Sequence, residues 1–324
     1  MKKRHCIAGA ILAWGMALGA GAALAEGYPD KPVTLVVPYP PGGATDVIAR
    51  LIAEKLPTAW GQQVIINNRP GAGTTVAAES VARSAGDGYT LYMTTAAHTI
   101  SASLYKKLNY DPLKDFAPLT LTSTIPLVLV TAPSLPVKNL DELIAYAKAS
   151  PQGLSMASTG NGTPQHLTGE LFKARAGLNL VHVPYRGDAP MITDLIGGQV
   201  QMAFVTLSAA LPHIQSGKLK AIALAHPRRV EAIAQVPTMT EAGMKNFEAA
   251  TWFGLFAPSS MPAALREKIY HDVAKIVATP EMTKKLQDMG GDVNNSSPQQ
   301  FQAFINDEAQ RWAEGVKLSG AQID

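Results

Sequence analysis

Residues 116–133, FAPLTLTSTIPLVLVTAP, carry Pro118, Pro126 and Pro133 in a run otherwise rich in Thr, Val and Leu. Proline inside a helix removes a hydrogen bond and clashes with the preceding turn, so this stretch is predicted to be extended. It is also far longer than the usual strand of five or six residues. Strand-like and helix-like segments alternate on both sides of it, and a long strand between two such units reads as a crossing from one to the other. A second extended run, ATWFGLFAPSSMP (250–262), is its natural return. Two crossings divide the chain discontinuously: 26–124 plus 254–324 as one domain and 125–253 as the other, with a hinge where they pass.

The units themselves read as α/β. VTLVVP (33–38), QVIINN (63–68) and YTLYMTT (89–95) are strands, separated by helical patterns from about Thr45 to Leu56 and over 73–84. Alternation of this kind predicts a doubly wound, parallel or mixed sheet flanked by helices. The pattern resumes after the first crossing. Asn139 is placed to cap a helix ending before Pro151. Strands follow at 154–158, 180–185, 200–206 and 219–225, with helices between them at HLTGELFKARAG, APMITDLIGG and LPHIQSG. The tail is helical, its last segment opened by Ser297 and Pro298, a cap residue followed by proline at the first helical position.

The beginning of the chain belongs to export rather than to the fold. MKKRH is basic, the following stretch to Ala22 is apolar, and ALA stands before Glu26. Together they form a secretory signal peptide with cleavage expected after about Ala25. Cys6, the single cysteine, leaves with it, so the mature chain has no disulfide, thiol nucleophile or cysteine metal site. So do Lys2, Lys3 and Arg4, which brings 28 basic residues down to 25 against 25 acidic ones. Nothing in this balanced charge favours nucleic acid, whose binding needs a basic face. A periplasmic location and a monomer are expected.

The loops after the strands carry the functional signal. VVPYPPGGATDVIAR enters its helix through Tyr39, Pro40, Pro41, Gly42 and Gly43, then Thr45 and Asp46. Such a turn holds bare N–H groups at a helix start, where the dipole favours an anion. No Gly-Lys-Ser/Thr follows, so it is not a nucleotide P-loop. Asp46 is either a helix cap or an acceptor for a ligand amine or ordered water. A second loop, ASTGNGTPQH, repeats the pattern with Ser158, Thr159, Asn161, Gly162, Thr163 and His166. It reads either as a solvated surface loop or as the partner of the first across a cleft, since ligands of open α/β sheets sit beyond the carboxyl ends of the strands. RPGAGTTVAAE, with Ala72, offers a further helix start but lacks the third glycine and the acid of a dinucleotide fingerprint. Thr94, Thr95 and His98 follow one strand end, and Tyr185, Arg186 and Asp188 another; Arg186 is either a carboxylate fork or a solvated surface charge. Phe204 and Thr206 end a further strand. No G-x-S-x-G elbow or H-E-x-x-H pair occurs, so no catalytic residue, metal or cofactor is assigned.

Taken in order, YPDKPVTLVVPYPPGGATDVIAR, INNRPGAGTTVAAESVA, DGYTLYMTT, STGNGTPQHLTGELF, HVPYRGDAPMITDLIGGQVQMAF and VPTMTEAG resemble the Bug-type solute-binding proteins of tripartite tricarboxylate transporters. The resemblance runs over essentially the whole mature chain. It implies a periplasmic binding-protein fold, type II-like, whose two α/β domains close on a ligand. It further implies a small carboxylate held between residues 39–46 and 158–166, partly through ordered waters, and delivery to integral-membrane transporter subunits. A dicarboxylic acid is expected if Arg186 faces the ligand, and an aromatic acid if Tyr39, Tyr185 and Phe204 line the pocket. Service to a sensor kinase, or a periplasmic enzyme acting on a carboxylate, are the alternatives.

Overall fold

The computed structural model describes residues 27–319. The signal sequence, its cleavage site after Ala25 and Cys6 lie outside the described residues. In chain order the strands are β1 (Val33–Val37), β2 (Val64–Asn68), β3 (Thr90–Thr95), β4 (Phe116–Thr131), β5 (Leu154–Ser158), β6 (Leu180–Pro184), β7 (Met202–Thr206), β8 (Lys220–Leu224), β9 (Ala250–Pro258) and β10 (Asp292–Val293). The helices are α1 (Ala44–Trp60), α2 (Thr75–Ala82), α3 (Ala97–Leu104), α4 (Leu140–Ala149), α5 (Pro164–Ala176), α6 (Asp188–Ile196), α7 (Leu207–Gln215), α8 (Ala263–Val277), α9 (Pro280–Asp288) and α10 (Pro298–Ser319).

Hydrogen bonding joins the strands along the path β2-β1-β3-β9-β4-β7-β5-β6, with β8 and β10 pairing onto β4. The β1–β2, β1–β3, β5–β6 and β5–β7 ladders are parallel, as the alternating pattern predicts. The ladders made by β4 and β9 are antiparallel. The sheet is therefore mixed, and its antiparallel part comes from the two extended runs.

Strand β4 is the shared element. Its first part, Phe116 to Pro126, pairs with β9, and its second part, Leu127 to Thr131, pairs with β7 and β8. The register slips between Pro118 and Thr120, beside a residue with no N–H to donate, and again between Leu121 and Ser123. Beside it the chain returns through Ala249, whose carbonyl accepts from Leu127 N–H and whose N–H donates to Ala225 O, both at 2.9 Å. The two runs thus lie side by side where the amino-terminal group of strands passes into the central group.

Local signals place most helix ends. Asn139 accepts from Glu142 N–H at 2.9 Å while Glu142 accepts from Lys138 N–H, a capping pair at the start of α4. Ser297 and Gln300 do the same for α10. Helix α1 departs from the expectation that it stops before Pro57: it runs on to Trp60 and closes at Gly61, in the left-handed region at φ 65°. Tertiary contacts hold this last turn, because the Trp60 indole packs edge-on to Tyr28 at 5.6 Å and donates to Asp272 of α8 at 2.9 Å. On its other turns Ile48, Ile52 and Leu56 are buried in one cluster with Val33, Leu35, Leu91 and Met93, so the start of α1 is fixed against β1 and β3. Helix α3 and the short strand β10 had no clear pattern in the sequence.

Candidate functional site

Strands β1 and β3 of the first group and β5 and β7 of the second end at the same place, and the loops that follow them face each other. Tyr39 leaves β1 and its hydroxyl pairs with Thr95 Oγ1, at the end of β3, at 2.9 Å. Gly42, at φ 89°, turns the chain into α1 in a conformation that a side chain would disfavour. The N-cap residue of α1, Gly43, has no side chain to cap the helix. Val47 is the first residue to donate within it, to Gly43 O at 3.0 Å, so the N–H groups of Ala44, Thr45 and Asp46 have no acceptor in the helix.

Asp46 explains why the loop keeps its shape. One carboxylate oxygen accepts from Gly42 N–H and from Arg50 Nε, each at 2.9 Å, and the other accepts from Asn68 Nδ2, also at 2.9 Å. Asn68 in turn donates to Tyr39 O at 2.9 Å. Burial by itself would raise the pKa of Asp46, but the bonds from Arg50, Gly42 and Asn68 outweigh it and hold the carboxyl below its usual range. Both oxygens are thus engaged, by the loop and α1 on one side and by Asn68 of β2 on the other, and Asp46 is a clamp rather than a helix cap.

The facing loop is built by a parallel device. Thr163 caps α5 through His166 N–H at 3.4 Å and donates to Gly160 O at 2.8 Å. Gly162 N–H donates to His166 Nδ1, and Ser158 Oγ lies 2.7 Å from His182 Nε2. The two imidazoles stack at 4.0 Å. Burial pushes His166 down to about 3 and His182 down to about 4, His166 also feeling His182, so both rings are neutral near pH 7. Ser158, Thr163 and His166 therefore hold the loop from beneath.

Between the loops lies a small enclosed cavity of about 10 Å³, at the lower limit for one water molecule. Of the residues expected at the site, Tyr39, Gly43, Thr45, Thr95, Thr159, Asp188 and Thr206 line it. Gln165, Thr251 and Phe253 line it too, and the sequence reading did not select them. Gln165 donates to Thr206 Oγ1 at 3.0 Å. It stands in the quoted TPQH stretch, and Thr251 stands at the start of the return crossing, so both were near recognised signals. Burial raises Asp188 to about 6, partly offset by a hydrogen bond from Ala44 N–H. Tyr39 and Thr159 also belong to an outer cleft of about 340 Å³, a volume within the range of small-molecule sites. Ala72, Asn161, Tyr185 and Arg186 line this cleft, together with Gly71, Gly73, Thr74 and Tyr105.

The remaining expected residues lie elsewhere. Pro41 and Gly42 are exposed and line neither space. Gly162 is packed against Leu104 and Ile100 of α3, across from its own loop. Thr94 is buried in β3. His98 sits in an aromatic cluster, 4.6 Å from Phe116 and 4.8 Å from Phe256, where burial pushes it down to about 4. Phe204 is packed between Phe172 and Phe247, 5.7 Å from each. A side chain's position near a strand end was legible; what packs over it depends on elements brought in from elsewhere in the chain.

The model of the tripartite tricarboxylate transporter family receptor matches residues 48–320. Protein BugT of Bordetella pertussis is 36% identical over 301 residues, which is 92% of each chain. Among solved structures, the periplasmic binding protein BugD is 34% identical with a TM-score of 0.88, over 91% of this chain and 99% of its own. Rpa4515 of R. palustris, solved with adipate, is 35% identical with a TM-score of 0.88, over 91% and 100%. MatC of Rhodopseudomonas palustris, with bound malate, is 32% identical with a TM-score of 0.85, over 89% and 100%. The α/β frame, its facing loops and these matches agree, and the chain belongs to the tripartite tricarboxylate transporter receptor family of periplasmic solute-binding proteins.

Proposed function

We propose that this protein captures a small carboxylic acid, of the dicarboxylic or aromatic kind, between its two facing loops and delivers it to the membrane subunits of a tripartite tricarboxylate transporter. The observation that carries this reading is the start of α1, whose N-cap Gly43 has no side chain to close it, held by Asp46 and opening onto a polar cavity beside a cleft of ligand size. Arg186 on the outer cleft suits a second carboxylate, and Tyr39, Tyr105 and Tyr185 around it suit an aromatic or aliphatic chain. Relatives solved with adipate and malate support the carboxylate class.

In this reading the two groups of strands are domains that part and close about β4 and the start of β9. The inner cavity is too small for a ligand, so entry requires the loops to separate, and binding then favours closure by the difference in affinity between the two forms. The mature chain, unfolded and refolded to remove any bound molecule, is screened by thermal shift against dicarboxylic, tricarboxylic, aromatic and amino acids and their amides. A rise in melting temperature with an acid and none with its amide is expected. No shift with any acid would refute the reading. Restoration of uptake of that acid in a deletion strain tests the transport role, and restored signalling without uptake would assign the protein to a sensor instead.

A further inference from the structure

Asp188 gives the inner cavity a sign that the carboxylate reading alone does not explain. It comes from the first residue of α6 and reaches across to the opposite loop, where it accepts from Ala44 N–H at the start of α1. Its Oδ2 lies so close to Gly43 that a methyl group there would be 3.2 Å away. Its Oδ1 is buried and has no hydrogen-bond partner. Thr251, only 2% exposed, lines the same cavity and its hydroxyl is likewise unpartnered. No lysine or arginine is among the described residues that line this cavity. Tyr39 is its titratable neighbour there, and its phenol is pushed up, chiefly by burial and in part by Asp188 itself.

A carboxylate in such a place is poorly suited to a second bare anion beside it. It is well suited to a donor nitrogen, and most of all to an ammonium, which would satisfy the open oxygen and offset the charge. The N–H groups of Thr45 and Asp46 have no acceptor within the helix, and Thr45 lines the same cavity, which leaves this helix start for the ligand's own carboxylate. We infer that Asp188 selects, within the proposed carboxylate class, acids that carry an amino or other donor nitrogen close to the carboxyl group. The inference rests on the proposed function and narrows it: Asp188 takes the nitrogen, the start of α1 takes the carboxylate, and Arg186 on the outer cleft is placed for a distal group.

Matched pairs of acids that differ in the amino group alone test it: aspartate with succinate, glutamate with glutarate, phenylalanine with 3-phenylpropanoate. Titration calorimetry of the refolded mature protein at pH 7.5 is expected to show at least one amino acid binding about tenfold or more tightly than its partner, as a close charge pair supplies. Asp188→Asn, which keeps the shape and removes the charge, is expected to erase that preference with the melting temperature of the free protein not lowered. Asp188→Ala provides the same test if the first variant does not fold. Equal or tighter binding of the unaminated acids, in the wild type and both variants, would overturn the role of Asp188 and leave the carboxylate receptor standing. So would unaminated acids that bind more tightly at pH 5 than at pH 8, since Asp188 would then act as a protonated donor. Failure of all six acids and of the wider panel would instead remove the carboxylate reading, and this inference with it.

Discussion

Gly73→Ala probes most directly the contact between the loop after β2 and the 158–166 loop that faces it. Gly73 sits on the outer cleft at φ 60° and faces the Asn161 carbonyl of the opposite loop; a methyl group there would overlap that oxygen and the Tyr105 hydroxyl. Two costs follow, and they act on different equilibria. The left-handed backbone costs an alanine about 1–2 kcal/mol whether or not the loops meet, so it lowers overall stability. The Tyr105 hydroxyl ends a mobile side chain and can swing aside, but the Asn161 carbonyl is backbone and yields only if the loops stay apart. Overpacking of this kind costs about 1–3 kcal/mol, which falls on closure and raises the dissociation constant about 5- to 150-fold. Calorimetry with the acid found in the screen measures it, and small-angle scattering of the liganded variant should show a larger radius of gyration than the liganded wild type. An affinity within threefold of wild type, with unchanged scattering, would refute the view that this contact belongs to the ligand-bound form.

Asp46→Asn should lower stability by about 1–3 kcal/mol through loss of the charge-assisted bonds to Arg50 and Gly42, and weaken binding only because the loop loosens; chemical denaturation beside calorimetry separates the two. Because the folded state holds the Asp46 carboxyl below its ordinary value, that contribution is present above about pH 4 and is lost as pH falls through the folded value, a trend the variant should lack. Asp188 runs the other way: raised from 3.8 to about 6, it makes the wild type lose stability as pH rises from about 4 to 6, by at most ~3 kcal/mol, and Asp188→Asn should abolish this loss in a series of melts across pH. His98→Leu should leave ligand affinity within about twofold, since the ring lies in the core. It should also flatten the decline in melting temperature between about pH 6.5 and 4, where the unfolded chain protonates His98 and the folded chain does not.

Much of this was readable from local chemistry. Proline and β-branched residues at 116–133 force extension, and a strand of that length, with a return at 250, leaves little choice but to run between two sets of strands. Asn139, Ser297 and Gly177 mark helix ends because capping needs nothing beyond a few neighbouring residues. The glycines and prolines before α1 marked the loop that lines the inner cavity for the same reason. The trapped last turn of α1 was not legible, since Pro57 argues against it and the Trp60–Asp272 bond that outweighs the proline joins residues far apart in the chain.

The division is sharpest within the candidate site. Composition and turn chemistry by themselves determined that loops rich in glycine and small polar residues follow the strands, and so which stretches to examine. Only the tertiary structure decided what each residue in them does. Asp46 and Asp188 are both acids in the first turn of a helix, yet one is paired with Arg50 and hydrogen-bonded by Asn68 while the other is left with an open oxygen in a cavity. Phe204 and Thr206 are two residues apart on β7, yet one packs on Phe172 and the other meets Gln165 at the cavity. The physical reason is common to both cases: a carboxylate's environment, and what packs against each position along a strand, are set by partners brought in from distant parts of the chain, and no local pattern encodes them.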